Sequence, residues 1–467
     1  MHPSEEPVRP PPPAWVRFAD ALIVLTVVLA ACLFVFGGFR EHVSGIRISF
    51  RSWHRLGALA LVLIAVRHYF VRTPTTAHVA ARSVRRLWGS DSRRAVWPAF
   101  LSTRATVLLV GYLGVATVGF APKSVRFRMS DNELLNLPAR WDAGWYLSIV
   151  TEGYTWDRNP RRQQNIVFFP AFPLAVRTIG DFLGQHWLHV ALGVALTSFF
   201  FALVYLHRLA RDLLEPDQAR MAAWALAAYP FSVYYSAPYT EGLYLLGSVG
   251  AFYHAGRGQW GRAAAWGFLL GLCRPNGFFI AGPIGILVLQ RALRERRLAP
   301  AAIVPVVTPL LGVLTYCGYL YLRFGDPLVW MKGQLAWGRV FAGVWPGVRA
   351  LFADRYTTIT EESFYFYSMA MPYDLMHTAA AIFVLISIVP TIRRFGLAYG
   401  AFTAVNILPP LIMGGMLSIG RMTSVLFPAF LWVAAALPER HRTAWIAGSC
   451  VLQGLIAVLF FTWRAAF

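Results

Sequence analysis

Apolar runs of about 20 residues, the length a helix needs to cross a bilayer, recur along almost the whole chain. Short segments rich in arginine, proline and aromatic residues separate them. Candidate spans lie near 20–38, 54–71, 101–121, 186–207, 219–236, 239–255, 301–322, 373–392, 396–416, 422–437 and 444–463. The stretch 262–290 is longer than one span, and "CRPNG" at Cys273 to Gly277 interrupts it. Proline disfavours helix in the residue before it, and Pro-Asn-Gly is turn chemistry, so two short helices meeting at that turn are predicted. The pattern predicts an all-α polytopic membrane protein, a bundle of about 13 helices. Its large loop at 122–185 carries short amphipathic helices.

Four regions follow. Residues 1–19 are a Pro-rich tail, expected to be disordered and cytoplasmic. Residues 20–100 hold two N-terminal spans and a basic loop, 101–437 the main transmembrane unit, and 438–467 a C-terminal span. The run from Ala21 to Phe39 is long for a cleavable signal and reads as a first transmembrane helix.

Composition agrees with the pattern. The 467 residues are 57% hydrophobic and only 14% charged, with a mean hydropathy of +0.51, too apolar for a soluble domain of this length. The net charge of +21 lies mainly between apolar spans, which favours anionic lipid and membrane orientation over nucleic acid. Cys32, Cys273, Cys317 and Cys450 sit in apolar stretches without ligand spacing and read as packing residues.

Arginine sets the orientation. The loop from Arg72 to Arg94 carries six arginines and one aspartate, and "RALRERR" (291–297), "RR" (393–394) and "ERHR" (439–442) are also basic. Counting "RPNG" as a turn puts all four on one side, the cytoplasmic one. The same count sends 122–185, "SAPYTEG" (236–242), "RPNG" (274–277), 323–372 and "SIGRM" (418–422) to the extracytoplasmic face. The first of these is itself basic, with Lys123, Arg126, Arg128, Arg140, Arg158, Arg161 and Arg162, though acidic residues are dense there too.

The polar residues that carry chemistry thus share one face. Ala143 to Glu152 is predicted to form a surface helix, with Asp142 at its N-cap and Trp145, Tyr146 and Ile149 on one side. Asp142 is a cap or a catalytic carboxylate, and Trp141, Trp145 and Tyr146 form an aromatic belt or line a site. "NIVFFPAFPLAVR" (Asn165–Arg177) predicts a kinked entry segment because its two prolines break a regular span. Glu241 opens an apolar helix, where a carboxylate suits the helix dipole. Arg274 and Arg421 either snorkel or meet an anion, and the guanidinium fork suits phosphate oxygens. One carboxylate and several arginines facing a cavity suit transfer of a sugar from a lipid phosphate. Such a donor is already activated and needs one base and cationic stabilisation of the leaving group.

At these residues a resemblance enters. "RWDAGWYLSIVTEGY", "NIVFFPAFPLAVR", "YSAPYTEGLY", "RPNG" and "GRMTSVLFPAF" resemble, in that order, motifs of the PIG-V-like mannosyltransferases, relatives of the second mannosyltransferase of GPI-anchor synthesis. The similarity covers roughly 100–437. It implies a GT-C-like bundle, polyprenyl-phosphate-mannose as donor, and an inverting single displacement at an extracytoplasmic site with an aspartate base. That base maps onto Asp142, and the family's Phe-Phe-Pro segment onto Phe168, Phe169 and Pro170. The Ser-Glu helix start maps onto Ser236 and Glu241, although "SAPYTE" is more widely spaced than the eukaryotic pattern. The two spans before residue 100 are additional to that pattern and either dock another membrane subunit or stabilise the bundle. The Arg/Ala-rich composition suggests a bacterial homologue in the plasma membrane, with an acceptor other than GPI.

Asp142 is therefore the expected base, with Asp131 and Glu133 as alternatives. Arg140, Trp141, Tyr146, Asn165, Phe169, Glu241, Arg274, Asn276 and Arg421 are the expected substrate-binding residues, and Glu152 an acceptor-side candidate. No cofactor is expected beyond the lipid-phosphate sugar itself; a divalent ion shared by Asp142 and Asp131 stays open. The acceptor is a lipid, glycan or protein hydroxyl. Two other classes compete: a lipid-linked-sugar flippase, which also uses broken helices and intramembrane arginines, and a non-catalytic scaffold.

Overall fold

The computed structural model describes residues 91–122, 124, 127–182, 186–338, 361–414 and 418–464, together with 39–43, 46–50, 53–70 and isolated positions between 15 and 30. For 39–43, 46–50, 361–374 and 413–414 it describes the backbone alone. The chain forms two compact units, Met1–Ser90 and Asp91–Phe467.

In the first unit, β1 (Phe39–Val43) and β2 (Ile46–Phe50) pair antiparallel, with Phe39 opposite Phe50 and Val43 opposite Ile46. Helix α1 (Trp53–Phe70) follows. This short strand pair is a local departure within an otherwise helical chain, as the all-α expectation has it. Val43, Ile46 and Ile48 are β-branched, and Ser44-Gly45 separates the strands in sequence. The span expected at 20–38 lies mostly outside the described residues.

The second unit is helical. Its long helices are α2 (Asp91–Thr117), α6 (Trp187–Arg211), α11 (Val304–Phe324), α13 (Glu361–Phe395) and α17 (Glu439–Phe461). Among the described residues six segments are long and apolar enough to cross a membrane, and Leu397–Ile412 and Phe427–Ala436 are shorter apolar helices. The described residues leave the expected count of about 13 unconfirmed, and several expected spans are broken. The span expected at 219–236 stops as helix α7 (Pro216–Ala227) and continues as a 3-10 segment, Pro230–Ser236. That expected at 422–437 divides into α15 (Ile419–Thr423) and α16 (Phe427–Ala436), with Pro428 opening the second. Helix α17 packs along α2.

The α7 break shows how such interruptions are tolerated. The last carbonyls of a helix lack partners within it. Buried Arg104, from α2, donates to the carbonyls of Ala227 (2.9 Å) and Ser232 and to the Ser236 hydroxyl (3.0 Å). Gln453, from α17, donates to the carbonyls of Ala227 (2.9 Å) and Tyr229 (2.8 Å). Two polar side chains from distant helices thus replace the missing helical bonds.

The "CRPNG" interruption forms as expected. Helix α9 (Trp260–Cys273) ends there, a 3-10 segment (Pro275–Ile280) turns, and α10 (Ala281–Glu295) follows. A β-carbon on Gly277 would lie 1.9 Å from the Leu270 carbonyl oxygen, so only glycine lets the turn close on α9.

In the loop after α2 lie α3 (Glu133–Asn136), α4 (Ala143–Glu152), a 3-10 turn (Asn165–Val167) and α5 (Ala171–Phe182). Helix α4 has the bounds the sequence predicts. Its aromatic residues pack on protein rings. Tyr146 is buried against Phe168 and Phe172, and Trp145 stacks on Phe168 and meets Trp337 edge-on. The non-helical "NIVFFP" backbone is held by Tyr316, whose hydroxyl donates to the Ile166 carbonyl (2.7 Å), and Tyr154, which donates to the Phe168 carbonyl (2.9 Å). Irregular backbone is stable here because protein side chains satisfy it.

Candidate active site

Four charged side chains from four separate segments meet. Asp142, at the start of α4, accepts a hydrogen bond from Arg421 of α15 at 2.5 Å. Arg421 also lies 3.4 Å, through Nε, from Glu241, the first residue of α8 (Glu241–Gly256). Glu241 in turn accepts from Arg274, at the tip of α9. The order is carboxylate, guanidinium, carboxylate, guanidinium. Glu241 is completely buried, whereas the Asp142 and Arg421 side chains each keep 15% exposure. Buried charges persist only when paired. Even so, Glu241 Oε2 has no hydrogen-bond partner among the described residues, a departure that calls for a functional explanation.

Asp142 occupies the N-cap position without acting as a cap: its side chain makes no bond to the first turn of α4. Its backbone N–H donates to the Tyr239 hydroxyl (3.0 Å), which donates to the Arg140 carbonyl (3.2 Å). One tyrosine therefore fixes the main chain on both sides of Trp141, whose φ of 53° lies in the left-handed region. The carboxylate is left to Arg421.

The partners are held as firmly. Thr240 accepts from Arg274 Nε (2.9 Å) and shares a hydrogen bond with the Tyr146 hydroxyl (3.2 Å). Burial pushes the Tyr146 phenol well above its ordinary pKa, and the Glu241 charge acts the same way, so it remains a neutral hydroxyl. A β-carbon on Gly242 would lie 2.8 Å from the Ala195 carbonyl oxygen, so glycine lets the start of α8 press onto α6 and bury Glu241. Helix α15, which carries Arg421, is held by the His377 ring, which accepts from the Gly420 N–H (2.8 Å). Tyr235 donates to the Ser424 carbonyl (2.8 Å), and Tyr229 bonds Thr423 at 2.8 Å. The Arg421 guanidinium lies over the Tyr239 and Tyr234 rings, 5.5 and 5.9 Å from their centroids.

Several residues expected at the site face elsewhere. Arg140 donates to the Phe461 carbonyl (2.9 Å), the Asn136 carbonyl (2.9 Å) and Glu133 (2.6 Å), tying α3 to the end of α17. Glu133 is therefore engaged by Arg140 and Arg128, and Asp131 is exposed. Neither alternative base joins the cluster. The Trp141 indole donates to the Phe460 carbonyl (3.1 Å). Asn165 bonds the Thr155 N–H (2.9 Å) and the Gly153 carbonyl (2.9 Å), shaping the turn after α4. Phe169 packs on Tyr316 and Trp330. Asn276 donates to Asn406 (2.9 Å), Ser236 accepts from Arg104, and Glu152 is exposed at the far end of α4. Of the expected residues, Asp142, Glu241, Arg274 and Arg421 converge, and Tyr146 lies beside them through Thr240.

Tyr239 and Thr240 were not singled out by sequence reasoning. The tyrosine-rich run "YPFSVYYSAPYT", among otherwise lipid-like spans, was the available signal. Among the described residues no group of three or more His, Cys, Asp or Glu side chains is placed to hold a metal ion.

Comparison with known proteins bears on this cluster. Residues 117–323 match the family model described as Mannosyltransferase (PIG-V). This stretch of the chain is PIG-V-like. GPI alpha-1,6-mannosyltransferase 2 of Cricetulus griseus is 34% identical over 163 residues, covering 32% of this chain and 31% of its own length. The Rattus norvegicus protein of that name is 32% identical over 217 residues, 42% of either chain. The chain thus spans under half the length of these relatives. The oligosaccharyltransferase of Archaeoglobus fulgidus aligns structurally with a TM-score of 0.41 at 13% identity, over 76% of this chain and 53% of that one. The PIG-V-like stretch contains Asp142, Glu241 and Arg274, whereas Arg421 lies beyond it. The fold brings that last arginine to the first carboxylate.

Proposed function

We propose that the protein is an integral membrane mannosyltransferase that transfers mannose from polyprenyl-phosphate-mannose to an acceptor hydroxyl, with inversion. The reading places the reaction on the extracytoplasmic face of a bacterial plasma membrane, with the basic loops in the cytoplasm. Asp142 is the general base and takes the acceptor proton as the acceptor oxygen attacks the anomeric carbon. Arg421 and Arg274 stabilise the departing polyprenyl phosphate. The acceptor is a lipid, glycan or protein hydroxyl.

The observation that carries this reading is the Asp142–Arg421 pair, a rigidly held, partly exposed carboxylate touching a phosphate-binding type of side chain. The PIG-V-like stretch supports mannose as the sugar, and the six apolar segments support a membrane-bound enzyme. A single carboxylate suffices because phosphate leaves without protonation, unlike the alkoxide in glycoside hydrolysis.

The test is transfer of labelled mannose from polyprenyl-phosphate-mannose by the protein in liposomes. Asp142→Asn is expected to lower the rate by about 10³-fold, within the range of general-base contributions, at unchanged thermal stability. Full activity in that variant would overturn Asp142 as base. Movement of the labelled lipid across the bilayer without a new glycosidic bond would replace the transferase reading with transport.

A further inference from the structure

The pairing of Arg421 carries a consequence for the order of events. With both acids ionised, the four formal charges of Asp142, Glu241, Arg274 and Arg421 cancel. A sugar phosphodiester adds one negative charge. During transfer the acceptor oxygen bonds the anomeric carbon and its proton passes to Asp142. The anomeric carbon–phosphate oxygen bond breaks, with the electron pair staying on the phosphate. Asp142 goes from −1 to neutral while the phosphate goes from −1 to −2, so the total is conserved. One negative charge vanishes beside Arg421 and one appears on the leaving group.

In the structure Arg421 occupies Oδ2 of Asp142. While the guanidinium holds Oδ2, it sets the direction of the carboxylate and leaves chiefly Oδ1 for an acceptor hydroxyl. We propose that Arg421 is a counter-ion that changes partner: it closes on Asp142 in the empty site and is drawn to the phosphate when donor binds. Asp142 is then fully released as a base when donor is in place, which favours donor binding before acceptor. This rests on the function proposed above. Among the described residues Arg274 pairs with Glu241, whereas Arg421 pairs with both Asp142 and Glu241, so the exchange falls to Arg421.

If Asp142 and phosphate compete for Arg421, removing the Asp142 charge strengthens phosphate binding. Equilibrium binding of a short-chain polyprenyl phosphate to the purified full-length protein measures this without catalysis. Asp142→Asn is expected to bind about tenfold more tightly than the wild type, a coupling of ordinary size. The gain should disappear when Arg421→Gln is added; if that protein does not fold, Arg421→Lys, which cannot hold both anions in a fork, should reduce it. Equal or weaker binding by Asp142→Asn would overturn the exchange and leave the transferase reading standing. No binding of polyprenyl phosphate by the wild type would overturn both.

Discussion

Arg104 and Arg421 are both enclosed arginines in an apolar bundle, yet they end on different chemistry. Arg104 directs its N–H groups to the carbonyls of Ala227 and Ser232 and to the Ser236 hydroxyl, all neutral acceptors on a broken helix. Arg421 ends on two carboxylates, one of which keeps some contact with the outside. A carbonyl has one use in a folded chain, whereas a carboxylate paired to an arginine can yield that arginine to another anion. Depth of burial therefore does not separate a structural arginine from a working one; the acceptor does. Arg140 combines the two, ending on the carbonyls of Phe461 and Asn136 and on the Glu133 carboxylate, away from the charged cluster.

The sharpest way to break this contrast is to remove both arginines in turn. Arg104→Met should lower stability by about 3 kcal/mol, because the buried Ser232 carbonyl and Ser236 hydroxyl lose a donor, at roughly 1–3 kcal/mol each, while the Ala227 carbonyl keeps Gln453. The folded fraction should retain the wild-type KM for donor. Arg421→Lys, which keeps a cation beside both carboxylates, should do the opposite, lowering kcat/KM by about 10²-fold (about 2.7 kcal/mol), the scale of losing one electrostatic stabiliser, with a smaller change in thermal midpoint. Thermal unfolding in detergent beside transfer kinetics separates the two; the same profile for both variants would erase the distinction.

A smaller effect is expected at Tyr239, which holds Asp142 in place without touching it through the carboxylate. Tyr239→Phe removes two hydrogen bonds to the main chain on either side of Trp141. A loss of about 1–2 kcal/mol is expected, seen as a lower kcat at unchanged donor KM. A rise in KM alone would place Tyr239 at the donor instead.

The smallest effect concerns the exposed turn after α4. The Asn159 backbone N–H, with Arg162 and Gln164, holds the Asp157 carboxyl below its ordinary range. A depressed carboxylate contributes stability that is present above its unfolded pKa, about 3.9, and lost as pH falls through the lower folded value. Hydrogen exchange of residues 157–164, corrected for intrinsic rates, should therefore rise as pH falls from 5 toward about 2. In Asp157→Asn it should be raised already at neutral pH. Transfer activity at neutral pH should be little altered, because no residue of the charged cluster touches this turn.

How much was legible follows from distance along the chain. Helix α4 and the break at "CRPNG" depend on local spacing and on proline and glycine geometry, so both were readable. Asp142, Glu241, Arg274 and Arg421 stood out because ionisable groups in apolar surroundings are rare. Arg140 stood out for the same reason, and Asn165 as the polar start of "NIVFFPAFPLAVR"; both proved to bind main chain away from the cluster, because a sequence does not reveal where a side chain points. Arg104, Gln453, Tyr239 and Thr240 escaped attention, each looking ordinary beside its neighbours while its key partners lie many residues away.

By itself the sequence determined a helical, membrane-type chain, its local helix starts and breaks, and a short roster of charged residues, since hydropathy, turn chemistry and charge act locally. Only the tertiary structure decided which of those charges meet. Asp142 and Arg421 are 279 positions apart, and closing that distance is the work of helix packing, for which no local pattern carries the instruction.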